Sequence, residues 1–122
     1  MGKNVLVEIK LDCNGKIDKS QDDEGVFLSF SQGDTVTWIC MGAKYRVKVR
    51  KLCNDKVTCT HPDTPFAEPI QYPSGDSAPA RTALLAPPVK LEAVGHMYKC
   101  TYEVWVRPDH WDSWDPHIHV GP

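Results

Sequence analysis

No stretch of this chain approaches the roughly 18 consecutive apolar residues of a membrane-spanning helix, so no membrane span is expected. Missing too are a Gly-x-Ser-x-Gly elbow, a phosphate-binding glycine loop and a His-Glu-x-x-His helix. With only 122 residues to build a cleft that sheds water, those absences argue against an enzyme. The formal net charge is −2, which offers no overall field to attract nucleic acid or an anionic membrane. Helical periodicity is absent as well. Val89 to His96 comes nearest to an amphipathic helix, and Gly95 limits it.

Cysteine is sparse and irregular. The five, Cys13, Cys40, Cys53, Cys59 and Cys100, do not make a disulfide scaffold, and their odd number leaves at least one thiol unpaired within the chain. Cys53 and Cys59 flank the turn-like Asn54-Asp55-Lys56; they either pair across a hairpin in an oxidising compartment or stand as free thiols. No apolar core of a signal peptide follows Met1-Gly2-Lys3-Asn4. The expectation is a cytoplasmic protein or a trimmed secreted or periplasmic form.

What the chain does have is period two. Val5, Val7, Ile9 and Leu11 alternate with Leu6, Glu8, Lys10 and Asp12, which predicts a first strand ending before the turn dipeptide Asn14-Gly15. Val26 to Phe30, Thr35 to Cys40 and Lys44 to Arg50 predict three more. In the last of these Tyr45, Val47 and Val49 share one face, and Lys44, Arg46, Lys48 and Arg50 share the other, continued by Lys51. From Met97 to Val106, Tyr98, Cys100, Tyr102, Val104 and Val106 lie opposite Lys99, Thr101, Glu103 and Trp105. A polar loop from Arg107 to Asp115 and a final strand from Pro116 to Val120 complete the pattern. Val36, Trp38, Tyr45, Val47, Tyr98, Tyr102 and Val104 are the expected core.

Between residues 60 and 88 the alternation fails, and most of the ten prolines fall there. Proline suits loops and sheet edges rather than central strands. The segment reads as a long connection with one short strand near Thr82–Leu85, and Phe66, Ile70, Tyr72, Leu84 and Leu85 make it too apolar for a free linker. It is expected to pack over one edge of a sandwich. Residues 1–122 thus read as a single all-β domain of about seven or eight strands.

At this point the residues resemble a known family. Gln32-Gly33-Asp34-Thr35-Val36-Thr37-Trp38 looks like the early hairpin-to-strand signature of cupredoxins. Tyr98-Lys99-Cys100 sits where those proteins carry a tyrosine-x-cysteine, and Asp115-Pro116-His117-Ile118-His119-Val120 is similar to the last strand of small bacterial cupredoxin-like proteins. The resemblance implies a Greek-key β-sandwich. It also implies that the blue-copper ligands are not retained. Met41 to Val49 has no histidine where the family has its first, and His110, the next after Cys100, stands ten positions on. Cys100 then reads as a small buried hydrophobe.

Three groupings are candidates for function. Trp111 and Trp114, with His110 beside them, sit in a loop rich in aspartate, and tryptophans among charges suit a recognition surface for a protein, a sugar or a small ring. The alternative is that one or both tryptophans cap the open end of the sandwich. His117 and His119, two apart on a strand, share a face and with His110 or Asp115 compose a set able to hold copper or zinc, or else two solvent-facing imidazoles. The cationic ladder of Lys44, Arg46, Lys48 and Arg50 either meets phosphate or an acidic partner or, the preferred reading, is a solvated face paired with Glu103 and Glu8; it does not read as a nucleic-acid surface, for want of aromatics among its cations.

The expectation is therefore a non-catalytic binding module for a protein or small ligand through His110, Trp111 and Trp114, with no cofactor and no committed metal ligand. A metal carrier or sensor using His110, His117 and His119 is the alternative. An assembly role through an exposed sheet edge is a third.

Overall fold

Strands form where the alternation is strict, because each second side chain finds the apolar interior and each other one finds water. A computed structural model describes residues 2–18, 25–51 and 64–122, with the backbone alone at Lys51. The strands are β1 (Asn4–Glu8), β2 (Val26–Ser29), β3 (Thr35–Ile39), β4 (Lys44–Lys51), β5 (Leu84–Leu85), β6 (Met97–Arg107), β7 (His110–Trp114) and β8 (His117–Gly121). Among the described residues there is no α-helix; the candidate at Val89 to His96 yields only a 3₁₀ turn at Leu91–Ala93. Cys53 and Cys59 lie outside the described residues.

Two mixed sheets result. One is three-stranded in the order β1-β3-β5, with β1 parallel to β3. The other runs β2-β8-β6-β4, with β7 joined to β6 and β2 parallel to β8. All seven expected core residues lie between the sheets and are buried. Trp38 is the centre of that layer: its Nε1 donates to the Tyr102 hydroxyl at 3.2 Å, and its ring meets Phe66 edge-on at 6.3 Å. The Tyr45 hydroxyl lies 3.0 Å from the Trp38 carbonyl and also against the Thr82 carbonyl. Burial pushes the hydroxyls of Tyr45 and Tyr98 up to about 12.

The proline-rich connection works as an edge guard. An edge strand exposes unpaired N–H and C=O groups to any passing strand. Along β4, Tyr45 exchanges both backbone hydrogen bonds with Ala78, at 3.0 and 2.8 Å, and the Tyr72 hydroxyl donates to the Val47 carbonyl. Phe66 and Ala78, both in that segment, are themselves buried. Its prolines are poor strand formers, so the connection covers this edge at Tyr45 and Val47 without propagating the sheet.

The predicted loop at 107–115 is in fact half of a hairpin. Only Pro108 and Asp109 turn the chain, and His110–Trp114 pairs antiparallel with β6, with a register shift between Trp105 and Arg107. The alternation was present but disguised: Trp111 and Ser113 face outward while Asp112 and Trp114 face inward, so polar residues occupy both faces. Asp112 turns inward without harm because its Oδ2 accepts the Ile17 amide at 3.0 Å.

At the opposite end, Asp34 ties the chain start to β2. Its carboxylate accepts the Lys3 amide at 3.0 Å and the Ser29 amide at 2.9 Å, which hold it below the usual carboxylate value. A group whose folded pKa is depressed stabilises the fold above its unfolded pKa, about 3.9 for aspartate, and loses that effect as pH falls through the folded value. Asp34→Asn should therefore lower the urea midpoint at neutral pH, with the gap to wild type closing in acid. A gap that stays constant from neutral to strongly acidic pH would deny Asp34 this role.

Candidate functional site

Antiparallel pairing of β4 with β6 places Lys44 opposite Trp105, Arg46 opposite Glu103, Lys48 opposite Thr101 and Arg50 opposite Lys99. Residues directly opposite one another share a face, so the cation ladder and the outward side of β6 form one surface. Pairing of β7 on the far side of β6 then sets Trp111 opposite Trp105. The Lys44 Nζ lies 5.2 Å from the centre of the Trp105 ring and the Arg46 guanidinium carbon 5.4 Å from it, both within cation–π range. Trp111 remains 55% exposed. Beside this group lies a hollow of about 380 Å³ lined by Lys44, Trp105, Val106, Arg107 and Pro108.

Glu103 partly neutralises the ladder. Its Oε1 accepts Arg46 Nε at 3.0 Å and lies 3.5 Å from Lys48 Nζ. The expected partnership with Glu103 is thus observed. The one with Glu8 is not: Glu8 belongs to β1 in the other sheet, where its carboxylate lies 4.0 Å from Lys10 Nζ.

The three residues singled out at 110–114 part company. Trp111 faces outward. Trp114 turns inward, packs against the core and meets the Tyr102 ring edge-on at 6.0 Å. There it joins Val5, Val7, Val26 and Pro116 in lining a cleft of about 390 Å³ between the sheets. His110 clamps the 12–17 turn, its Nε2 lying 3.1 Å from the Asn14 carbonyl oxygen. A carbonyl can only accept, so that nitrogen carries the hydrogen.

No family model, curated protein or solved structure matches this chain. The site is therefore read from its own geometry. The histidine set is split by topology: β8 and β7 lie along the same side of β6, His117 opposite Lys99 and His110 opposite Arg107. Eight residues of strand separate those positions, about 26 Å. His117 and His119 do share the outer face, with ring centres 6.1 Å apart, and His119 stacks on Phe27 at 4.4 Å. Asp115 is engaged by Lys99 Nζ at 3.2 Å. Among the described residues, no three of His, Cys, Asp and Glu stand close enough to share a metal ion.

Cys100 faces the core, fully buried and opposite Val49. Burial pushes its thiol up, against a smaller lowering by the Tyr102 hydroxyl.

Trp105 was the residue passed over. Its signal was available, since it continues the outward alternation of Lys99, Thr101 and Glu103. Its importance comes from β4 and β7 closing on it from both sides.

Proposed function

We propose that this chain is a non-catalytic binding module on a cupredoxin-like Greek-key sandwich, without a type 1 copper centre, and that it recognises its partner through the outward face of the β6–β7 hairpin. The observation that carries the reading is Trp111: a large indole left 55% exposed, directly across from Trp105 and its two cations. Tryptophan and arginine dominate binding energy where they are buried by a partner. Both tryptophans sit on paired strands rather than on a free loop, so little conformational entropy is lost on docking. The burial of Cys100 in the core, opposite Val49, supports the copper-free part of the reading.

Trp111→Ala should leave stability within about 0.5 kcal/mol of wild type, as for most surface substitutions. Affinity for a partner captured on the immobilised protein, then purified and titrated, should fall at least about tenfold. Trp114→Ala should do the reverse, costing on the order of 2 kcal/mol of stability because it empties the rim of the core. An unchanged partner affinity in folded Trp111→Ala would sink the reading.

A further inference from the structure

Resting on that reading, we propose that the surface around Trp111 and Trp105 docks an acidic protein segment carrying an apolar or aromatic side chain. The first ground is charge. Outward positions of β4 and β6 hold Lys44, Arg46, Lys48, Arg50 and Lys99. Against these five cations stand two carboxylates, Glu103 within β6 and Asp115 beside Lys99. The face thus has an excess of three positive charges on a chain whose net charge is −2. Lys44 and Arg107, which line the hollow beside Trp105, form no ion pair among the described residues.

The second ground separates a peptide from a nucleic acid. Single strands are held by successive open aromatic faces in a positive groove. Here Trp105 already carries Lys44 and Arg46 against its ring, leaving Trp111 as the open indole of the pair. One open indole beside cations held in place fits one anchoring side chain flanked by carboxylates. The net negative charge of the chain also works against a long polyanion, whose field it meets as a whole, and less against a short segment that meets only this face.

The test is fluorescence anisotropy with the intact protein and three labelled probes of equal length, about a dozen residues or nucleotides. They are an acidic peptide with a central Leu-Phe pair, an all-acidic peptide, and oligodeoxythymidylate. The first should bind most tightly and weaken with salt. Trp111→Ala should cost it at least about tenfold and Lys44→Glu about three- to tenfold. Lys10→Glu, at an exposed cation just past the end of β1, should change nothing.

Equal binding of the two peptides would reduce the surface to a charge effect and overturn the proposal. So would tighter binding of the oligonucleotide, self-association that depends on Trp111, or no binding of the Leu-Phe peptide at millimolar concentration. If a non-acidic partner binds in a Trp111-dependent manner, the acidic assignment falls and the binding-module reading stands. If Trp111→Ala alters no interaction at all, both fall.

Discussion

Trp38→Ala should remove about 3–5 kcal/mol of stability, the cost of emptying a fully buried large aromatic site. Several losses coincide at that position. The indole fills the centre of the layer between β3 and β6, its edge contact with Phe66 holds the proline-rich connection down, and its N–H satisfies the Tyr102 hydroxyl. Tyr102 is itself buried, so its hydroxyl loses one of its hydrogen bonds and keeps the one with Cys100. Domains of this size are stable by only about 5–15 kcal/mol, so the variant should be partly or wholly unfolded on warming. Trp38→Phe separates the contributions: it keeps most of the packing and loses the hydrogen bond, and should cost about half as much or less. Urea titrations followed by far-ultraviolet circular dichroism measure both. A Trp38→Ala midpoint within error of wild type would mean that the core is not organised around this ring.

Gly25→Ala should cost about 3 kcal/mol or more, for a different reason. Gly25 enters β2 at φ +95°, a conformation that side chains rarely adopt, and an added Cβ would lie 1.9 Å from the His117 carbonyl oxygen. That oxygen is backbone at the start of β8, so nothing flexible can yield. The strained φ costs roughly 1–3 kcal/mol. The clash adds the displacement of β2 from β8, where Val26 pairs with Ile118 and Leu28 with Val120. Gly75 supplies the comparison: its φ is +89°, yet an added Cβ there would meet nothing within 4 Å. Gly75→Ala should therefore cost only the backbone strain. Hydrogen exchange should show the Phe30 amide, which donates to the Gly121 carbonyl at 3.0 Å, losing protection in Gly25→Ala while the β4–β6 ladder keeps it. Equal destabilisation by the two substitutions would show that the approach of β2 to β8 is not the constraint.

The candidate site was legible in pieces. The outward alternation of Lys44, Arg46, Lys48 and Arg50 and that of Lys99, Thr101, Glu103 and Trp105 each stood in the chain. So did the partnership of Glu103 with the ladder, because opposite charges on adjacent strands stabilise a sheet. The hairpin partner was not legible: Asp112 and Ser113 carry the signature of a loop, and the inward aspartate is met by the amide of Ile17, supplied from nearly a hundred residues away in sequence. The reason given for setting nucleic acid aside, a lack of aromatics among the cations, no longer holds in three dimensions. What replaces it is the state of the two indoles: one covered by cations, one open.

By itself, the sequence determined the inward residues of the strictly alternating strands up to Val104. Burial follows from period two, and period two is a property of one strand, so Val36, Trp38, Tyr45, Val47, Tyr98, Tyr102 and Val104 could be named without knowing any pairing. Tertiary structure alone decided which strands are neighbours and in what register. Those choices set His110 about 26 Å along β6 from His117, turned Trp114 into the core and brought Trp111 opposite Trp105. Distances across a sheet depend on pairings between segments far apart in the chain. A site made of such distances therefore exists only once the sheet has closed.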